Sequence, residues 1–241
     1  METVVVFELR GSIAHYRRPD TLGTHASYPF IPRTTLRGLI GAILGVEYRE
    51  EGDVLPAEAR CGLCLLAPVK TVAQELSLHG KKWVRQGEQD SSFHRPTSLE
   101  LVVNPHYRVF YAGPQADELA DRLENRQSCF HTYLGSAFCL TFPEWVGRKP
   151  AEAIPPDSRC IPCATVVPMP AVGRLLFDHG EQYARAGGLS REHIGGRRFR
   201  GTVSVIYEVT GRAVTFEPAS PPTDVFWAFR QVPGEGTVCL W

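Results

Sequence analysis

The segment Val4-Val5-Val6-Phe7-Glu8-Leu9 restricts the fold more than any other part of the chain. It is β-branched and aromatic, and it has almost no polar face, so a strand here has to be covered on both sides. Residues 3–10 are therefore expected to form a central, buried strand. After a loop holding Gly11, Pro19, Gly23, Pro29 and Pro32, the residues Leu36, Leu39, Ile40, Ile43 and Leu44 recur at helical spacing. Thr34 or Thr35 is placed to cap that helix and Gly45 to stop it.

Residues 64–72 read as a second strand, and the charged, weakly periodic stretch 74–95 as a projecting excursion. A third strand is expected over 97–111, broken at Asn104-Pro105 because proline cannot donate to a ladder. Ala116, Leu119, Ala120 and Leu123 mark a short helix, and 137–142 a fourth strand. The order β-α-β-β-α-β predicts an α+β fold in which residues 1–147 are ferredoxin-like, as in RNA-recognition modules, with 74–95 as a protruding thumb hairpin. The proline-rich stretch 149–170 leads into residues 148–241, read as a small, mainly β C-terminal region with strands at 201–209 and 224–230.

A chain of 241 residues with 43% hydrophobic content can bury one core, or one core and a satellite. No apolar run approaches the roughly 20 residues of a membrane span, and the start carries no basic-then-apolar leader. The expectation is a soluble cytoplasmic protein without a membrane partner. Formal net charge is zero, so any nucleic-acid site must be a local patch rather than a global field. Lysine occurs only at Lys70, Lys81, Lys82 and Lys149; the remaining cations are arginines, whose planar fork suits phosphates and base stacking.

The most specific block joins Gly11-Ser12-Ile13-Ala14-His15-Tyr16-Arg17-Arg18-Pro19, then His25-Ala26-Ser27-Tyr28-Pro29-Phe30-Ile31-Pro32-Arg33-Thr34-Thr35, to the helix that follows. A second runs from His94-Arg95-Pro96-Thr97 to Asn104-Pro105-His106-Tyr107-Arg108-Val109, and a third is Tyr133-Leu134-Gly135-Ser136. Together these resemble the CRISPR-associated Cas-five family of the repeat-associated RNA-binding superfamily. The resemblance implies a non-catalytic subunit of a type I Cascade complex that binds and caps the 5′ handle of the guide RNA. It also implies contacts with the backbone and large subunits, target DNA met through the complex, and no small-molecule substrate. The thumb would bring Lys81, Lys82, Arg85 and Arg95 to phosphates.

Residue chemistry bears on RNA independently. A helix starting after Pro32 offers unpaired N–H groups, and Arg33 and Arg37 beside them add positive charge. Tyr16, Tyr28 and Phe30 are candidates to stack bases, and His15, His25, Arg17 and Arg18 to meet base edges or phosphates. The same residues serve equally well as loop packing. Gly195, Gly196 and Gly201 flank Arg197, Arg198 and Arg200, either a phosphate-tracking loop or a plain basic turn.

The alternative is a metal-independent endoribonuclease drawing on His15, His25, Tyr28 and His94, although no convincing acid–base pair stands out. Two CxxC pairs, Cys61/Cys64 and Cys160/Cys163, have the half-site spacing of a structural zinc clamp. An extended CxxC puts its sulfurs on opposite faces, so Cys61 would need a turn at Gly62; otherwise these are reduced buried thiols and the protein carries no cofactor.

Overall fold

The computed structural model describes residues 2–21, 23–47, 52–81, 92–155, 158–177, 180–196, 198–219 and 226–241. In chain order the elements are β1 (Glu2–Arg10), β2 (Ile13–Ala14), α1 (Arg33–Leu44), β3 (Arg60–Leu65), β4 (Thr71–Lys81), β5 (Ser92–Val103), β6 (His106–Ala112), α2 (Ala116–Glu124) and β7 (Glu144–Ala153). There follow β8 (Ile161–Cys163), β9 (Val167–Pro168), a 3-10 turn (Met169–Ala171), β10 (Val172–Leu175), β11 (Tyr183–His193), β12 (Phe199–Glu208), β13 (Val214–Pro218), β14 (Ala228–Val232) and β15 (Gly236–Leu240). The architecture is mixed α+β, mostly sheet, and no helix among the described residues is long and apolar enough to cross a membrane.

β1 is buried from Val4 to Leu9 and lies between β6 and β7, antiparallel to both. Its side chains divide by the period of two: Val5, Phe7 and Leu9 enter one apolar cluster with Leu36, Ile40 and Leu119 of the helices, whereas Val4 and Val6 enter another. The second cluster takes Phe110 from β6, Ala151 from β7, Val232 from β14 and Val238 and Leu240 from β15. That face is covered because the sheet, ordered β10-β13-β8-β15-β14-β7-β1-β6-β3, curls until its parts meet. Trp241, just beyond β15, exchanges N–H···O bonds of 3.0 and 3.1 Å with Cys61 on β3. The sheet runs unbroken through residues 147 and 148, where the sequence reading divides the chain, since β7 spans both.

Several boundaries differ from expectation. Residues 137–142 are not the fourth strand; that role falls to β7, whose exposure alternates along a stretch with few apolar side chains, so the signal was hidden among charges and Pro150. α1 starts at Arg33 with Pro32 at the N-cap, so neither Thr34 nor Thr35 caps it, and among the described residues no side-chain hydrogen bond caps its start. Its C-terminal stop is Gly45, at φ 78°, the left-handed geometry glycine tolerates, with Cys129 so close that a Cβ would meet its sulfur at 2.7 Å. The break at Asn104-Pro105 falls where the chain leaves β5 for β6 and changes sheets. Upstream of it, β4 and β5 pair from Thr71↔Val102 to Lys81↔Ser92, a hairpin arm roughly 34 Å long at about 3.4 Å per residue.

On the β1 face that carries Val4 and Val6, Glu8 is buried among cations. Its carboxylate accepts from Arg108 Nη2 at 2.5 Å and Arg10 Nη2 at 2.9 Å, and lies 2.6 Å from His106 Nε2. Arg108 also reaches Glu235 at 2.7 Å, and Lys149 pairs with Glu235 as well. Burial alone would raise the Glu8 pKa, but the hydrogen bonds from Arg108, His106 and Arg10 outweigh it and hold the group down at about 2. A depressed carboxylate stabilises the folded state above its unfolded pKa, near 4.5, and loses that contribution as pH falls toward 2. Glu8→Gln should therefore lower stability at pH 7 by on the order of 3 kcal/mol in urea unfolding, and the gap to the parent should close between pH 4.5 and 2.

Candidate nucleic-acid interface

The N-terminal end of α1 is where segments distant in sequence converge. β11 and β12 form a hairpin whose register shifts between Ala186 and Leu189, at Gly187-Gly188. The bulge turns the Gly188 carbonyl toward Tyr28, whose hydroxyl donates to it at 2.6 Å. Three residues further along the strand, Arg33 Nη1 donates to the Arg191 carbonyl at 2.7 Å. Phe226 lies against both guanidiniums, with the Arg33 and Arg191 carbons 4.9 and 3.9 Å from its ring centre, and Phe30 meets Tyr207 of β12 edge-on at 5.0 Å. The C-terminal region thus seals the loop-helix junction.

That seal changes the roles expected of the first block. Tyr28, Phe30 and Tyr16 are buried, so their rings pack the core instead of presenting a stacking face. Tyr16 approaches Tyr107, hydroxyl to hydroxyl, at 3.5 Å, and His15, 4% exposed, has Nδ1 2.8 Å from the Glu100 carbonyl. Arg37, expected on a phosphate, is 1% exposed and works inside the protein. It donates to Asp53 at 2.8 Å, to Ala59 O at 2.7 Å, to Leu55 O at 2.6 Å and to Pro56 O at 2.9 Å, which ties the 53–59 loop to α1. Arg33 is buried too, and burial together with the nearby Arg37 charge lowers its pKa to about 10. Its Nε is buried without a hydrogen-bond partner among the described residues. Thr34 and Thr35 are half-buried on the same turn.

The segments that meet at this junction also carry exposed cations. Arg17 and Arg198 are exposed and make no ion pair among the described residues. Arg18 forms a forked pair with Asp20 at 2.7 and 3.1 Å and stands 5.9 Å over the Tyr28 ring. Arg200 pairs with Glu192 at 2.6 Å yet leaves most of its side chain in solvent. Three features of the hairpin were missed in the sequence: Arg185, exposed and bonded to Ser204; Arg191; and Phe199, half-exposed and packed on His193 at 5.3 Å. The alternation of Arg198, Phe199 and Arg200 in a strand pattern was the available signal. Exposed arginines beside an exposed aromatic suit a phosphate backbone with an unpaired base.

The β4–β5 hairpin joins the same region through β5. His25 N–H donates to Ser98 O at 2.9 Å, Glu100 N–H to His25 O at 3.0 Å, and Ser27 N–H to the Glu100 carboxylate at 3.0 Å. Lys81 lies on β4 opposite Ser92, and His94 and Arg95 on β5 opposite His79 and Leu78. Lys82 and Arg85, like Arg197, lie outside the described residues.

The cysteine pairs do not fit a zinc clamp. β3 is extended through Cys61 and Cys64, no turn forms at Gly62, and the two thiols fall in the two different apolar clusters. Cys163 is buried close to Cys64 and Cys239, Cys160 is exposed, and no group of three or more metal-binding side chains converges among the described residues. Burial pushes the Cys61 and Cys163 thiols up to about 11 and Cys64 to about 12, so they remain protonated packing groups.

Residues 4–162, more than half of the chain, match the family model described as CRISPR-associated protein (Cas_Cas5). No curated protein matches the chain in sequence. Among solved structures, a CRISPR RNA-guided surveillance complex is similar over 90% of this chain and 92% of the matched chain, at 16% identity and a TM-score of 0.51. A CRISPR protein from Archaeoglobus fulgidus is similar over 98% of both chains, at 9% identity and a TM-score of 0.55. At these identities the likeness is one of fold.

Arg37 and Arg198 should separate in experiment. Arg37→Met strands the Asp53 carboxylate and three carbonyls, and should destabilise the protein by roughly 3–5 kcal/mol in urea unfolding. Arg198→Ala, at an exposed site, should stay within about 0.5 kcal/mol of the parent.

Proposed function

Because the chain belongs to the CRISPR-associated Cas-five family, we propose that it is a non-catalytic subunit of a Cascade-type effector complex, gripping the 5′ handle of the guide RNA beside the backbone and large subunits. The observation that carries the reading is the convergence at the start of α1: the β11–β12 hairpin docks on Tyr28 and Arg33, so the segment carrying Arg17 and Arg18 meets the hairpin carrying Arg198, Phe199 and Arg200, and we take their cations together as one basic rim. Handle phosphates would meet the arginines and one base would stack on Phe199. The β4–β5 hairpin, anchored to the same loop through His25 and Ser98, would act as the thumb where handle meets spacer.

We also read the first part of the sheet as ferredoxin-like: β1, β3, β6 and β7, with α1 and α2 between them in the chain, follow β-α-β-β-α-β order and lie as β7-β1-β6-β3, every neighbour antiparallel. A binding role rather than cleavage is supported by the condition of two acid–base candidates. The His15 ring faces a carbonyl in the core and the Tyr28 hydroxyl is committed to Gly188, so neither is free to activate a ribose hydroxyl.

The test measures guide-RNA affinity of the assembled complex across salt, comparing a repeat-derived 5′ end with a scrambled one. Arg17→Ala with Arg198→Ala should weaken binding of both RNAs and reduce the slope of log K against log salt by about 1.4, about 0.7 for each lost phosphate contact on a single strand. Phe199→Ala should cost roughly 1–3 kcal/mol while leaving the slope unchanged. Unchanged affinity in both variants would remove the site, and specific cutting of repeat RNA by the purified chain would overturn the non-catalytic reading.

A further inference from the structure

The chain also exposes apolar surface that its own fold does not use. Thr132 and Thr141 are joined by an N–H···O bond of 3.1 Å and by the Thr132 hydroxyl at 2.6 Å, and Tyr133 bridges Leu140 antiparallel. The result is a short two-stranded ribbon. One side, Thr132, Leu134, Cys139 and Thr141, is buried; the other presents His131, Tyr133, Phe138, Leu140 and Phe142. Phe142 is 78% exposed, Leu140 53% and Phe138 49%. The ribbon is held rigidly: Gly135, at φ 86°, lies so close to His15 that a Cβ would meet the His15 carbonyl oxygen at 2.1 Å. Beside it a groove of about 920 Å³ runs between the end of α2 and residues 126–132 and 142–145, floored by Leu123, Phe130, Phe142 and Trp145.

The charges around this surface select its occupant. Glu124 and Glu144 line the groove, and the adjoining face of α2 adds Asp117, Glu118 and Asp121. Against these five carboxylates stand Arg122, paired with Glu118, Arg148, paired with Asp117 and Asp121, and Arg126; Arg10 is shared between Glu144 and Glu8. Carboxylates outnumber the cations on this surface, which disfavours a nucleic-acid backbone against it. Contiguous exposed aromatics on a rigid ribbon mark a protein interface. We propose that the ribbon face and groove form a docking surface for an apolar segment of a partner protein flanked by lysine or arginine. The exposed side of the ribbon and the groove differ from the proposed RNA site in residues and in charge: the ribbon's buried side abuts His15, but residues 129 and 130 bond the carbonyls of Ile43 and Ala42 at the end of α1, opposite the end where the hairpin docks. The reading as a complex subunit enters only in expecting a protein partner.

The probe is a short, labelled amphipathic leucine–lysine peptide, with its leucine–glutamate counterpart as control, titrated against the full chain by fluorescence anisotropy. The lysine peptide should bind and the glutamate peptide should not. Phe138→Ser with Phe142→Ser, which keeps every charge, should weaken the lysine peptide at least about tenfold with unchanged thermal melting, and Glu124→Gln with Glu144→Gln should weaken it less. No binding, equal binding of both peptides, or binding indifferent to the phenylalanine pair would overturn the proposal. So would displacement of the peptide by single-stranded RNA, or sedimentation showing self-association that the phenylalanine variant abolishes. Loss of RNA binding in Arg17→Ala/Arg198→Ala with peptide binding intact would show that the two faces are separate.

Discussion

Everything else in this fold depends on covering both faces of β1. A strand with Val5, Phe7 and Leu9 on one side and Val4 and Val6 on the other cannot be stable at the edge of an open sheet or under one layer of helices. The helices supply the first cover. The second comes from the sheet itself, which curls until β14 and β15 close over Val4 and Val6, and Trp241 bonds across to Cys61. The last residue of the chain therefore belongs to the same core as the first strand, and the C-terminal region is no loosely attached satellite. Glu8 is carried into that interior by the same alternation, and the cations of Arg10, His106 and Arg108 are what make its burial tolerable.

Sealing the core in this way decides which arginines remain available. Arg37 and Arg33 sit on the first two turns of α1, where a phosphate would be favoured in an isolated helix. The loop 53–59 and the β11–β12 hairpin reach them first, so both guanidiniums bond carbonyls, Arg37 also pairs with Asp53, and Arg33 stacks on Phe226. The hairpin that covers Arg33 carries its own cations outward, and those, with the buried pair's charge already engaged inside, are the ones left for an anion.

The parts of this arrangement legible in sequence are those set by local rules. The apolar run of β1, the Leu36–Leu44 stripe, the stop at Gly45 and the break at Asn104-Pro105 each follow from periodicity or backbone chemistry over a few residues. β7 was not legible, because a strand with solvent beside much of its length and charged side chains carries little apolar signal. Nor could sequence tell an interior arginine from a surface one: Arg37 and Arg198 differ only in what the rest of the chain places over them. The CxxC pairs misled for a related reason, since spacing describes a turn as well as a strand, and here β3 is a strand. The Arg198-Phe199-Arg200 pattern was visible, but its meaning depended on a docking partner 160 residues earlier, the Tyr28 hydroxyl on Gly188.

A chain with zero net charge can still hold a polyanion, provided its charges are segregated over more than a screening length. α1 has 12 residues, about 18 Å at 1.5 Å per residue, and it separates the basic rim at its start from the carboxylate-rich groove beside its end. The Debye length at physiological ionic strength is about 8 Å, so neither surface cancels the other for a ligand lying against it. The neutral total instead suppresses long-range attraction to arbitrary nucleic acid, since non-specific binding depends on the summed field. The RNA binding proposed for the rim would then come from close contacts, made by a hairpin that the Tyr28 and Arg33 bonds hold in place. The same interactions that close the core set the positions of the groups that would recognise RNA, so the fold and the site are one structure.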